Sequence, residues 1–194
     1  MALPARSRNP LALILLLAGC AGGPQPLDWQ TNAAQAIQSF QRHYFAGETK
    51  LAEAEFQNAR AQLARTGRAD LVARAELVRC AVRAASLEFD DCPGFEALRY
   101  GARPEEIAYG DYLAGKGSHR TTDDALSRLV AAAVAFRSGG LSPAGIVGAV
   151  DTASAQGWRR PLLAWLGVQE KRAADAGDSE TAARIRRRID LISG

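Results

Sequence analysis

Apolar residues at spacings of three and four run through most of the chain, and this period constrains the fold more than any other feature. Between residues 32 and 46, for example, Ala33, Ile37, Phe40 and Tyr44 fall on one face of a helix. No run of four to eight alternating β-branched residues bounded by turns interrupts the pattern, so strands are not needed to explain it. The sequence therefore predicts an all-α fold.

Turn residues divide this pattern into segments that pair as antiparallel hairpins, because successive helices are joined by short loops. A length of 194 residues suffices for one core of ordinary size, and we expect residues 31–194 to form a single all-helical domain. The predicted helices cover 32–46, 48–65, 69–89, a shorter helix from Pro104, one ending at Phe136 after a cap at Thr122 or Asp123, 143–156, 161–176 and 179–192.

Two stretches resemble the tetratricopeptide repeat, in which a glycine between paired helices precedes a small, a large apolar and a second small residue. The first stretch has this spacing at Gly47, Ala52, Phe56 and Ala59. The second, 177–182, matches at the turn and the first small position, but Arg186 stands where a large apolar residue is expected. The first-helix tryptophan and the terminal proline are missing from both. Two architectures stay open: a tetratricopeptide-like superhelix of stacked hairpins and a generic helical bundle.

Residues 1–19 have the organisation of a signal peptide. Arg6 and Arg8 are the only charges, and the apolar run Leu11–Leu17 precedes the small residues Ala18 and Gly19. The apolar run is far shorter than the roughly 20 residues that span a bilayer as a helix. We therefore expect export rather than a permanent membrane helix.

The sequence Leu17-Ala18-Gly19-Cys20 resembles the lipobox of bacterial lipoproteins. The resemblance implies that the Cys20 sulfur receives a diacylglyceryl group, that the chain is cut before Cys20, and that residues 20–30 form a lipidated tether. Acyl chains contribute about 0.8 kcal/mol per buried methylene, so two or more anchor a protein stably. Ala21 replaces the aspartate that favours inner-membrane retention in this family, which implies the periplasmic face of the outer membrane. An ordinary secretory signal with a chance cysteine is the alternative.

The charge balance gives no support for a nucleic-acid partner. The formal net charge is +3, but loss of Arg6 and Arg8 with the signal leaves 22 basic against 21 acidic side chains, a balance of +1. We expect membrane attachment through Cys20 and an envelope protein as partner.

Two cysteines, Cys80 and Cys92, remain once Cys20 is lipidated. An oxidising compartment would favour a disulfide between them, and a loop this short would contribute roughly 2–3 kcal/mol. Cys80 lies well inside a predicted helix, so Cys92 must run back along that helix to reach it. Two buried or free thiols are the alternative. A zinc site would need two more ligands, and His43 and His119 are isolated, so we predict no metal.

Catalytic and cofactor motifs are absent or incomplete. The stretch Gly110–Gly117 approaches a phosphate-binding loop but ends in glycine where a hydroxyl is required, and no strand precedes it. Four glutamates that could exchange protons are expected on solvated helix faces: Glu53, Glu55, Glu105 and Glu106. The acidic residues Glu88, Asp90 and Asp91 are interpreted as a solvated helix end rather than a cation site. We predict no cofactor and no enzymatic activity.

Two groups of side chains are candidate contacts for a partner or for lipid. The basic cluster near the C-terminus places three arginines on one face and directs Arg186 elsewhere; its members are Arg184, Arg186, Arg187 and Arg188. Favourable charge near a helix C-terminus is the alternative role for this cluster. The tryptophans Trp158 and Trp165 begin the last hairpin, where a core role competes with an exposed patch.

These features together predict a non-catalytic scaffold or adaptor, anchored through Cys20, that binds an envelope protein in a groove between helices. Small helical lipoproteins of similar layout act as pilotins or assembly accessories, which is an analogy of fold alone. Two alternatives remain: a cell-wall enzyme or enzyme regulator, and a small-molecule-binding lipoprotein with a pocket lined by Trp158 and Trp165.

Overall fold

The computed structural model describes residues 26–194, and every regular element within that range is helical. The predicted all-α fold is confirmed. The helices are α1 (Asp28–Ala46), α2 (Thr49–Ala64), α3 (Ala69–Ala85), α4 (Pro93–Glu96), α5 (Pro104–Leu113), α6 (Ala125–Arg137), α7 (Pro143–Ala155), α8 (Arg159–Asp175) and α9 (Ser179–Ser193). A 3-10 turn, Arg99–Gly101, lies between α4 and α5.

The first helix begins four residues earlier than predicted. The side chain of Gln30 accepts a hydrogen bond from the Leu27 backbone N–H at 3.1 Å, and Asp28 places a negative charge in the first turn. Trp29 therefore lies inside α1 rather than in the tether. The helix ends at Gly47, whose φ of 91° is the left-handed conformation that glycine adopts at helix C-termini.

The third helix is shorter than predicted, ending at Ala85 instead of residue 89. The chain leaves the helical path at Leu87, which has a φ of 60°, and resumes a helix only at Pro93. A left-handed leucine is rare, and the sequence around it contains no glycine that would have signalled the break. The segment 86–92 that results lies against α3 and carries Cys92 back towards Cys80.

The third helix is the centre of the packing. It contacts α1, α2, α4, α5 and α6, and Ala73, Val82 and Ala85 on it are completely buried. Helices α1 and α2 form a close hairpin in which the rings of Phe40 and Phe56 lie 5.3 Å apart. The alanines between these rings and α3 allow the helix backbones to approach closely, as the alanine-rich sequence predicts.

The chain returns to its beginning through α8. The Arg160 guanidinium donates to the Tyr44 carbonyl oxygen at 2.8 Å, and the rings of Phe45 and Trp158 lie 4.4 Å apart. Repeats of a solenoid contact only their neighbours. A contact between helices so distant in sequence is typical of a helical bundle, the second of the two predicted architectures.

Replacement of Ser142 by alanine should lower the free energy of unfolding by about 1 kcal/mol. The Ser142 hydroxyl accepts a hydrogen bond from the Gly145 backbone N–H at 3.1 Å and so caps α7, which begins at Pro143 as predicted. Urea denaturation of the variant measures the loss. Ser179→Ala, at the first position of α9, is the control and should change stability by less. Equal losses in the two variants would show that the Ser142 cap contributes nothing beyond the general effect of replacing serine by alanine.

Candidate functional site: an apolar groove between α1 and α3

An open groove of about 370 Å³ runs between the N-terminal halves of α1 and α3. We call it the α1–α3 groove. Its surface is mainly apolar, with Leu63 contributed by the end of α2 and with Gln30 and Arg74 as its polar residues. The remaining lining residues are Trp29, Ala33, Ala34, Ile37, Leu71, Ala75 and Val78.

The groove is the uncovered part of two apolar stripes. On α3 the stripe continues in helical register to Ala85, whose carbonyl oxygen accepts a hydrogen bond from the indole N–H of Trp165 at 3.1 Å. On α1 the stripe continues to Tyr44, where Arg160 binds. Helix α8 therefore contacts both helices near the C-terminal ends of these stripes and leaves their N-terminal ends bare.

The polar rim of the groove carries little free charge. The Nη2 atom of Arg74 lies 2.8 Å from Oε1 of Glu106, so the guanidinium charge is paired. Small side chains at Ala33, Ala34 and Ala75 leave space between the larger Trp29 and Leu71. An elongated apolar trough of this kind suits the apolar face of a helix.

The cysteine pair forms the bridge that the sequence left open. The Cα atoms of Cys80 and Cys92 lie 5.8 Å apart, and the two sulfur atoms are at disulfide distance. A small cleft of about 70 Å³ opens beside the pair, and Glu76, Arg79, Arg83 and Asp90 contribute to its lining. Potential ligand atoms of Cys80, Asp90 and Cys92 lie within 4.8 Å of one another. The sulfurs are joined to each other, however, and Asp90 faces Arg83 at 3.4 Å.

One prediction about the glutamates is wrong. Glu105 is exposed, as expected, but Glu106 is only 5% exposed. Its carboxylate accepts hydrogen bonds from the Arg103 backbone N–H at 2.9 Å and from Arg74. A glutamate three residues after a helix cap and two after Pro104 is a capping pattern, and this signal could have identified the contact.

A second buried carboxylate, Glu76, was not singled out by the sequence. It is 5% exposed and accepts a hydrogen bond from Arg60 Nε at 3.1 Å. Its oxygens also crowd Gly94, where an added Cβ would lie 2.2 Å from Oε2. Glu76 lines the cleft beside the disulfide, whereas Glu106 is held by Arg74 at the edge of the α1–α3 groove. Each therefore has an arginine as its partner.

The predicted candidates Glu53 and Glu55 are half-buried on α2.

The acidic end after α3 is neutralised by arginines. Glu88 lies 3.0 Å from Arg160, Asp90 lies 3.4 Å from Arg83, and the fully exposed Asp91 lies 3.9 Å from Arg137. These contacts connect the segment 86–92 to α3, α6 and α8. They are ion pairs within the protein rather than a cluster of free carboxylates.

All four arginines of the basic cluster on α9 are exposed. Arg186 pairs with Glu170 on α8, and Arg184 lies 4.0 Å from Glu180 on its own helix. Arg184 also contacts Thr181, and Arg188 reaches Ser154 of α7 at 3.0 Å. The cluster and the α1–α3 groove share no lining residue.

The two tryptophans have different roles. Trp165 is completely buried and packs edge-to-face on Phe136, so it occupies the core role and not a contact surface. Trp158 is half-buried and lines a shallow cleft of about 400 Å³ together with Gln38, Gln41 and Arg42. Trp165 is not among the lining residues, so the predicted shared pocket does not form around these two side chains.

Burial raises the pKa of two tyrosine hydroxyls. Loss of solvent raises the pKa of Tyr109 to about 12, and the pKa of Tyr44 is also raised, by burial first and by Glu88 second. An unperturbed tyrosine is already protonated at neutral pH, so these shifts leave the charge of both side chains unchanged there. Tyr109 packs edge-to-face and Tyr112 at a tilt against His119, with ring centroids 4.8 Å and 5.4 Å from that imidazole, and so they hold the loop after α5.

Cys20 and residues 1–19, the predicted signal peptide, lie outside the described residues. Among residues 26–194, no helix combines the length and apolar character that spanning a bilayer requires. Comparison with models of protein families finds no match, and neither curated proteins nor solved structures give a significant match.

Proposed function

We propose that this protein is a lipoprotein, anchored through Cys20 at the periplasmic face of the outer membrane, that acts as a non-catalytic adaptor for an envelope complex. The observation that carries the proposal is the α1–α3 groove. It is open and mainly apolar, and it adjoins the N-terminus of α1, where the chain from Cys20 arrives.

The shape and surroundings of the groove favour a helix as its occupant. Helix α8 already contacts both helices near the C-terminal ends of the same two stripes, and Trp165 donates to Ala85 there. A partner helix laid on the bare N-terminal ends would extend that interface along the same two stripes. Its apolar side chains, at spacings of three and four, would enter the spaces left by Ala33, Ala34 and Ala75.

The position of the groove supports an anchored adaptor. An extended chain spans at most about 3.6 Å per residue, so Cys20 and Asp28 can be no more than roughly 30 Å apart. A partner helix bound beside Trp29 would therefore stay close to the membrane surface. Two alternative functions stay predictions: a cell-wall enzyme or regulator, and a small-molecule-binding lipoprotein. The first is favoured less because each of the two buried carboxylates is paired with an arginine. The second is favoured less because the groove is open along its length.

Replacement of Cys20 by alanine should abolish acyl labelling and leave the precursor uncut. The thioether to the lipid needs the cysteine sulfur, and cleavage in bacterial lipoproteins follows lipidation. Metabolic labelling with a fatty-acid analogue, with precursor and mature forms separated on a gel, makes the measurement. Cys92→Ala is the matched control and should keep the label. Unchanged labelling of the Cys20 variant would contradict the lipoprotein assignment.

The adaptor role is tested by crosslinking the tagged protein in cells and identifying its partners by mass spectrometry. We expect one envelope protein to be recovered repeatedly with the wild type. The same protein should be lost from a variant in which the groove is blocked at Ala34. Recovery that is equal with the blocked groove would contradict the proposed docking site.

A further inference from the structure

The disulfide beside α3 has features that a purely structural bridge does not need. Both cysteines line the adjoining cleft, but Cys80 is held on the central helix and is 8% exposed, whereas Cys92 is only half-buried. An attacking thiolate therefore reaches the Cys92 sulfur more easily, and the Cys80 sulfur becomes the leaving group.

Arg83, which contributes to the lining of the same cleft, has a hydrogen-bond donor without a partner within residues 26–194. The Nε atom of Arg83 is buried and, among the described residues, has no acceptor. Arg83 follows Cys80 by three residues, so the two side chains project from the same side of α3. A buried donor without an acceptor destabilises the protein while the disulfide is closed. When Cys80 becomes a thiolate, its sulfur can accept a hydrogen bond from this donor.

The other charges around the cleft are paired before any thiolate forms. Glu76 pairs with Arg60, and Arg79 pairs with Glu53. The Nη1 atom of Arg83 pairs with Asp90. A thiolate at Cys80 therefore meets a balanced set of charges and one free donor. The stabilisation comes from the Arg83 Nε–H and not from an excess of positive charge.

The segment closed by the bridge has a strained backbone. Leu87 and Cys92 have φ values of 60° and 46°, in the left-handed region that side chains other than glycine rarely adopt. Cys92 also precedes Pro93, which restricts it further. Opening the bridge lets Cys92 leave this conformation, so reduction releases strain.

We propose that Cys80–Cys92 is a site of reversible thiol–disulfide exchange with a dithiol reductant. A thiolate of the reductant attacks Cys92 Sγ, the S–S bond breaks, and its electron pair leaves with Cys80 as a thiolate beside Arg83. The second thiolate of the reductant then attacks the reductant sulfur that is bound to Cys92, and Cys92 leaves and takes up a proton. The protein gains two electrons and one proton, the other proton of the dithiol goes to solvent, and the dithiol becomes a disulfide.

Reduction should loosen the attachment of α8. Glu88 in the segment 86–92 lies 3.0 Å from Arg160, which also binds the Tyr44 carbonyl oxygen and the Thr49 hydroxyl. The bridge holds the segment that carries Glu88. An opened bridge therefore weakens one of the contacts that keep the first turn of α8 on α1 and α3. The inference does not depend on the proposed function.

The test compares the ease of reduction in the native and the unfolded protein. Loop closure alone would make the native bridge about 100-fold harder to reduce than the bridge in the urea-unfolded chain. We expect the equilibrium constant for reduction of the native bridge to be lower than that of the unfolded chain by about 10-fold or less. The ratio is this small because the Arg83 donor and the released backbone strain favour the reduced form. The Cys20→Ser protein is equilibrated with mixtures of reduced and oxidised glutathione, quenched with acid, alkylated and weighed by mass spectrometry.

Arg83→Gln should raise the ratio towards about 100-fold, whereas the exposed control Arg128→Gln should leave it unchanged. In the reduced wild type, the rate of alkylation at Cys80 should also follow a pKa below the ordinary value of about 8.5, and Arg83→Gln should raise it. Hydrogen exchange should increase on reduction in residues 86–92 and in the first turn of α8. A native ratio near 100-fold, an ordinary thiol pKa or unchanged exchange would overturn the proposal.

Discussion

Replacement of Trp165 by alanine is expected to lower the free energy of unfolding by about 4 kcal/mol. The indole is completely buried, so its removal leaves a cavity between α3, α6 and α8 that the surrounding side chains fill only in part. The substitution also removes the donor for the Ala85 carbonyl oxygen, which lies at the buried C-terminal end of α3. Both effects destabilise the protein.

Urea denaturation followed by circular dichroism measures this loss. Trp158→Ala is the matched control, because Trp158 begins the same hairpin but is only half-buried against Phe45. We expect the control to cost clearly less. A loss below about 1 kcal/mol for Trp165→Ala would show that the helices do not pack around this side chain as described.

Replacement of Ala34 by arginine is expected to weaken binding of the partner by at least about 100-fold. Ala34 is exposed in the α1–α3 groove, and a guanidinium there would fill the trough and force a charge against the apolar face of a bound helix. Because Ala34 is exposed, the variant should fold with nearly the stability of the wild type.

The neighbouring residue supplies the control for this variant. Gln35 is also exposed on α1 but does not line the groove, so Gln35→Arg adds the same charge one residue away. We expect Gln35→Arg to bind the partner as the wild type does. Equal weakening by both variants would indicate a general effect of charge on α1, and no weakening by either would exclude the groove as the docking site.

The helices could be predicted from the sequence because their signals are local. The caps at Ser142 and Asp178 and the turns at Gly47 and Gly177 fall where the sequence indicates, since capping side chains and left-handed glycines act within a few residues. The cap of α6 lies one or two residues later than predicted. Asp124, not Thr122 or Asp123, accepts the Ser127 N–H at 2.9 Å, and three polar residues in succession make that choice ambiguous.

Features that depend on tertiary packing could not be predicted in the same way. Periodicity identifies the apolar stripes of α1 and α3, but it does not say that α8 contacts these helices only near the C-terminal ends of the stripes. The burial of Glu76 likewise depends on Arg60, sixteen residues away on another helix, and on the close approach of Gly94. The left-handed Leu87 is imposed by the return of the chain along α3 and has no local signal.

Site-specific photo-crosslinking tests the central proposal most directly, namely that the α1–α3 groove binds a helix of an envelope partner. A photoreactive phenylalanine is placed at position 34, inside the groove, or at position 35, outside it, and both proteins are irradiated in cells. We expect a crosslink from position 34 to one envelope protein, within a segment of helical apolar periodicity, and none from position 35. Crosslinks of equal yield from both positions, or none from position 34, would contradict it.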